Sequence, residues 1–425
     1  SPSSFIWFRE GFGGLYGEAY DASDANPGSI RFDDSSFIVT VSGNVYSDAG
    51  ITPMGAPTCD GTTQNVRIVV DGGTYASSTS CNAGTGAYTF NNVAYIGDPK
   101  IIVYLDTNGG EKGSVVTKTL TGNVTNMNIY ANRVIVRHED VTALSIADMI
   151  DYDNSDDTDI SFEAVDAGTD TLTTFANTEL YVKASSTFTP NGNITLGGNG
   201  NSNSYEGTLA LATSSSFRAQ GTESHTLAGR LVVGSQATLT TASSTFNFNA
   251  TTTGKSITSS ATTTFNNLIF AGTDGGWNIG ANLTVHGDMQ VASGTVTGTG
   301  NIVMTNGSVS GDGVLSMGGG TVTINKTNAL GGATAWTFNN LVLGNGSVVG
   351  TTTPASTATT TILGTLTISN AHFLDANNSN WDLAGTGTVF TETGTLLEDT
   401  STIRFSGAGA SVPSTNYYNL KLDAG

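Results

Sequence analysis

The densest run of side chains able to do chemistry is Asp151-Tyr-Asp-Asn-Ser-Asp-Asp-Thr-Asp159. Oxygen-bearing side chains alternate at Asp151, Asp153, Ser155, Asp157 and Asp159, a donor type and spacing that suit a hard cation such as Ca²⁺. The run departs from the helix–loop–helix calcium loop. Its sixth position is Asp156 where that loop turns on Gly, and its twelfth is Phe162 in place of Glu. A solvated acidic loop is the other reading of the same residues.

Two cysteines, Cys59 and Cys81, flank one predicted strand in polar, Gly/Thr/Ser-rich loops. Nothing nearby supplies a set of metal ligands or a catalytic His, so the pair is expected to close a disulfide of an exported protein. Closing such a loop contributes roughly 3 kcal/mol in the chain-entropy view. Catalysis needs convergent groups, such as two carboxylates on one bond or a metal beside a base. Beyond residue 160 the carboxylates Asp274, Asp288, Asp312, Asp375 and Asp382 are scattered, and Glu398-Asp399 point to opposite faces of a strand. His138, His225, His286 and His372 have no metal-like spacing. No catalytic residue is therefore assigned, and a non-enzyme is expected.

The elements that must carry these groups follow from composition. Of 425 residues, 54 are Gly and only 12% are charged, yet Val, Ile, Leu and Phe recur at short intervals, which disordered chains lack. Lys plus Arg number 15 against 35 Asp plus Glu, giving −20. Phosphate backbones and anionic lipid surfaces both need cationic contacts, so neither is an expected partner. No apolar run approaches the roughly 18–20 residues of a membrane span, and no signal peptide opens the sequence. If the protein is exported, this is its mature form.

Residues 1–36 form an aromatic arm: Phe5, Ile6, Trp7, Phe8, Phe12 and Tyr16 crowd a stretch broken by Gly11, Gly13 and Gly14. Such an arm must bury itself, either on its own downstream domain or on a neighbouring subunit by strand addition to a sheet edge. Residues 37–136 carry about seven short strands punctuated by turns, the pattern of an immunoglobulin-like β-sandwich. The phrases "SGNVYSDAG", "VRIVVDG" and "GTGAYTFNNV" in this quarter of the chain resemble the Cna B-type, or carboxypeptidase-regulatory-like, module of surface proteins. Some members of that family carry a Lys–Asn isopeptide bond from an early strand. Strand 37–46 has no lysine, so that bond is not carried over. Residues 137–160 form a linker in which Leu144–Ile150 reads as a capping helix, with Ser145 and Asp148 as capping box and Leu144 stapled to Met149.

Residues 161–425 repeat. Thr264-Phe-Asn-Asn-Leu268 returns as Thr337-Phe-Asn-Asn-Leu341, 73 residues on, and as Asn416-Tyr-Tyr-Asn-Leu420, a further 79 on. Within that span apolar residues at Leu283, Met289, Val296, Ile302, Val309, Leu315 and Val322 step by 6 or 7. Short strands and tight turns in this rhythm wind into a parallel β-solenoid, with three steps giving a coil of about 20 residues. The chain stops at Asn419-Leu-Lys-Leu-Asp-Ala-Gly425, where another repeat would open. The style resembles the repetitive regions of large secreted bacterial surface proteins and adhesins. The expected fold is all-β: an immunoglobulin-like sandwich, a short capping helix and a β-solenoid. The expected function is a structural subunit of an extracellular surface layer, sheath or fibre that polymerises with copies of itself, with a cell-surface glycan as a further partner. The alternatives are a stalk fragment of an adhesin and a β-helix polysaccharide-active enzyme. Asn-x-Ser/Thr sequons, including Asn193, Asn282 and Asn345, are frequent, as expected by chance in a chain this rich in Asn, Ser and Thr.

Overall fold

The computed structural model describes residues 37–118, 122–198 and 205–423. It is all-β and divides into two units: residues up to Leu144 together with Asp148–Ser161, and Ser145–Ala147 together with Phe162 onward. The acidic run thus belongs to the first unit. Among the described residues no helix is long and apolar enough to cross a membrane.

The first unit contains β1 (Phe37–Tyr46), β2 (Val66–Val70), β3 (Tyr75–Thr79), β4 (Ala87–Tyr95), β5 (Lys100–Leu105), β6 (Ser114–Lys118), β7 (Ile129–Tyr130) and β8 (Arg133–Val136). Antiparallel ladders join β1 to β4, β2 to β3 and β5, and β5 to β6. Two pairings are parallel, β1 with β7 and β6 with β8. A purely antiparallel sandwich does not contain these, so the fold established here is a mixed β-unit. Alternation in β1 buries Val39, Val41 and Val45. In β5, Ile101 through Leu105 are all buried, so both faces of that strand are covered.

The capping helix expected at Leu144–Ile150 is absent, and turns occupy 147–150. Seven residues cannot nucleate a helix on propensity alone. Asp148, assigned to the capping box, instead meets Lys118 at 2.7 Å. Leu144 and Met149 are both buried, but on irregular backbone.

The second unit opens with β9 (Phe162–Val165), antiparallel to β10 (Asp170–Thr174). From β10 on, every ladder among the described residues is parallel and runs in three stacked columns, the walls of a solenoid. The first wall is a 12-stranded sheet with β9 at its edge. At about 4.8 Å per strand it stands roughly 50 Å tall. Along it Leu172, Ile194, His225, Phe246, Leu268, Met289, Val309 and Leu330 are successive partners, all at most 2% exposed. The second wall places Trp277, Trp336 and Trp381 inward. The third stacks Phe265, Val285, Met304, Ile324, Leu343 and Ile368. Each fully buried side chain of this size contributes roughly 1.5–3 kcal/mol, so the shared interior holds the coils together.

Coils advance mostly by 19 to 26 residues, as from His225 to Phe246 to Leu268. Three sides per coil agree with the 6- to 7-residue step. The longer recurrence has a different meaning. Phe265 lies on the third wall and Leu268 on the first, whereas Phe338 lies on the second and Leu341 on the third. The phrase encodes a corner and not a fixed place in a module. At both corners the first Asn accepts a glycine N–H from the coil above, Gly287 to Asn266 at 2.7 Å and Gly364 to Asn339 at 2.8 Å. The second Asn presents Oδ1 to the next backbone N–H, Asp288 to Asn267 and Thr365 to Asn340, both at 3.0 Å. A Cβ on Gly287 or Gly364 would collide with that Asn side chain. Asn282 and Asn301 repeat the device, accepting from the backbone N–H groups of Asn301 and Thr321. Corner amides that no strand can pair are satisfied in this way, which accounts for much of the Asn and Gly content.

Candidate functional site: the acidic strap and the solenoid

The five oxygen donors at Asp151, Asp153, Ser155, Asp157 and Asp159 do not converge. Among the described residues no group of three or more His, Cys, Asp or Glu is placed to hold a metal ion. Each carboxylate serves the first unit separately. Asp151 pairs with Lys100 at 2.7 Å. Asp153 accepts the Ser155 N–H at 2.7 Å and its hydroxyl at 2.8 Å. Asp157 accepts the Tyr104 hydroxyl at 2.6 Å and lies 3.8 Å from Arg67. Asp159, 5% exposed, accepts the N–H groups of Thr107 and Asn108 at 2.9 Å and of Gly109 at 3.4 Å. Lys112 donates to the Thr158 carbonyl at 2.5 Å.

Residues 148–159 therefore form a strap over β5 and the loop after it. Tyr152 sits against Tyr104, ring centroids 6.3 Å apart, and covers the second face of β5. Burial, followed by the hydrogen bond to Asp157, pushes the Tyr104 phenol far above its ordinary value. Sequence reasoning missed the strap's partners Arg67, Lys100, Tyr104, Lys112 and Lys118. A signal was present: 6 of only 15 cationic residues fall between Arg67 and Arg137. With every carboxylate of the run occupied by protein donors, adding 5 mM Ca²⁺ (about that order, far above sensor affinities) is expected to leave the melting temperature unchanged. A calcium-dependent rise of several degrees in scanning calorimetry would contradict this.

Cys59 and Cys81 form the disulfide, 22 residues apart in sequence, with both side chains fully buried. Among the described residues no cysteine is free. Reduction is expected to cost roughly 3 kcal/mol, read as a lower urea midpoint in dithiothreitol. The arm residues Phe5, Ile6, Trp7, Phe8, Phe12 and Tyr16 lie outside the described residues.

In the solenoid the histidines are far apart. His372 is buried with Nε2 2.9 Å from the Thr352 hydroxyl, and burial pushes its pKa down. Asp375 and Asp399 come together on adjacent coils. Burial first, and then a hydrogen bond from Asp399, raise the Asp375 pKa. A carboxyl raised in the folded state stabilises while protonated, and that contribution is lost as pH rises through the folded pKa. Asp375→Asn is thus expected to flatten the stability profile just above the ordinary carboxylate value of about 4 and to raise the melting temperature at higher pH. A profile identical to wild type would refute the pairing.

The last described strand, Asn419–Leu422, pairs parallel with Thr402–Phe405. Leu420 and Leu422 occupy inward positions in register with Ile403 and Phe405, yet are 42% and 62% exposed, against 1% and 3% for their partners. Tyr418 is also exposed, while Tyr417 packs on Phe405 at 6.0 Å, its phenol pushed up to about 12 by burial and then by Glu392. Arg404 bridges Asp382 and Asp423 across the outer face of this end.

This architecture defines a β-solenoid protein with an additional β-unit ahead of it. No family model, curated protein or solved structure matches the chain.

Proposed function

We propose that the chain is a structural subunit of an extracellular surface layer, sheath or fibre, assembling with copies of itself. The observation that carries this reading is the solenoid itself, stacked parallel strands in three walls around one continuous buried apolar interior. The regular solenoid supplies rigid length, and the buried disulfide fits an oxidising compartment. The first unit is read as an immunoglobulin-like module of the Cna B kind, supported by its antiparallel ladders β1–β4 and β2–β5. The aromatic arm is assigned a contact with a neighbouring copy.

The full chain is expected to form polymers seen by electron microscopy, and deleting residues 1–20 is expected to abolish them while circular dichroism stays unchanged. A chain that never polymerises, or polymers that persist through the deletion, would overturn the reading. A wild-type chain that stays monomeric at every concentration would favour an adhesin stalk.

A further inference from the structure

The third wall is broken at one height. Its lower part is a separate sheet of three strands, Thr187–Phe188, Ser216–Arg218 and Thr238–Thr240. Its upper part resumes at Thr263–Phe265, which pairs upward with Leu283–Val285. Among the described residues no ladder joins Thr238–Thr240 to Thr263–Phe265. Both other walls pass this height unbroken, with Phe246 paired to Leu268 on the first and Leu231 to Ile257 on the second. The cause is in the sequence. Below the break four residues, 241–244, turn the corner from the third wall to the first, whereas above it Asn266 alone does so. The upper strand therefore sits three residues nearer the corner, and strands only three residues long cannot pair across that offset. The coil also lengthens here, from 22 residues between Leu209 and Leu231 to 26 between Leu231 and Ile257.

Parallel pairing turns alternate residues to opposite edges of a strand. Thr238 donates its N–H down to Ser215, and the Thr240 carbonyl accepts from Ala219, so Leu239 turns its N–H and C=O to the gap. On the far side Thr263 donates up to Asn282 and Phe265 accepts from His286, which leaves Thr264 facing down. Side chains stitch the edges instead. The Thr241 hydroxyl donates to the Thr264 carbonyl and Asn266 Nδ2 to the Ser243 carbonyl, both at 3.2 Å. At the opposite corner the Ser260 hydroxyl donates to the Gly234 carbonyl at 3.1 Å. Behind the gap Phe246 touches Phe217 of the coil below at 6.1 Å and Phe265 of the coil above at 5.3 Å. Apolar contact of this kind is non-directional and tolerates small sliding.

We infer that the solenoid is jointed at this break: the coils below Thr240 and those above Thr263 move as two stiff blocks, opening and closing the third wall. The hinge line runs along the two unbroken walls, whose backbone ladders resist separation at every coil. At this height one of the three rows of backbone bonds is replaced by a few hydroxyl and amide bonds, so bending that parts the third wall meets least resistance here. The joint belongs to the single chain and does not depend on self-assembly.

The test places pairs of spin labels on the full chain, diluted with unlabelled chain. Cys59 and Cys81 are bonded to each other, so introduced thiols alone take the label. Each pair lies four coils apart, about 19 Å. Ser216→Cys with Val303→Cys spans the break on the third wall. Thr226→Cys with Ser310→Cys spans the same coils on the first wall. Thr264→Cys with Val342→Cys stays above the break. The distance distribution from double electron–electron resonance is expected to be at least twice as wide for the first pair as for either other. Adding Thr241→Val and Asn266→Ser is expected to widen the first pair further and leave the second unchanged, with circular dichroism unaltered. Equal widths for all three pairs, narrow or broad, overturn the joint. A broad first pair that is indifferent to the two substitutions keeps the joint and assigns its stiffness to the phenylalanine contacts. If the substituted chain unfolds, the comparison of the three pairs without those substitutions decides alone.

Discussion

Asp159→Ala is expected to lower the stability of the first unit by about 3 kcal/mol, because three backbone N–H groups lose their shared acceptor inside a nearly closed site. Each orphaned buried donor costs roughly 1–3 kcal/mol, less where water can reach it. Breaking one half of a buried charged arrangement falls at about 3–5 kcal/mol. The lower figure applies here because Gly109 is already long at 3.4 Å. Asp159→Asn keeps one carbonyl oxygen and is expected to recover about half of the loss. Hydrogen exchange at Thr107, Asn108 and Gly109 provides the local readout. A loss under about 1 kcal/mol, with those amides still protected, would mean that the strap is not fastened at this residue.

Phe246→Ala should be the most damaging single change in the solenoid, costing about 3–5 kcal/mol. Its ring touches three others across neighbouring coils: Phe217 at 6.1 Å, His225 at 4.9 Å and Phe265 at 5.3 Å. No partner can collapse into the space, since each is held by its own ladder. A stack in which each coil meets only its neighbours responds locally. Exchange should therefore accelerate between residues 217 and 270 while the ladder from Leu366 to Phe405 remains protected. Uniform acceleration along the whole solenoid would refute that locality.

Much of the fold was legible because its rules are local. Alternation at strands such as Thr245–Phe248, with Phe246 and Phe248 inward, needs only a period of two, and the recurring step of 6 or 7 gave the coil. The cysteines were legible from their loops. What was not legible depends on distant partners. The acidic run resembled a cation loop because its oxygen spacing was read without Lys100, Tyr104 and Thr107, some 50 residues away. Leu144–Ile150 carried helix signals, but Lys118 claimed Asp148 from outside the segment. The recurring Thr-Phe-Asn-Asn-Leu phrase was a true repeat of corner chemistry. Its wall could not be read, since coil lengths vary and the phase drifts.

The stacking that makes the interior continuous also sets how the protein yields under load. One coil of about 21 residues adds only about 4.8 Å along the axis, yet the same residues drawn straight span about 70 Å. A tether built from such coils would pay out over tenfold its folded length, one turn at a time, before its covalent chain came taut.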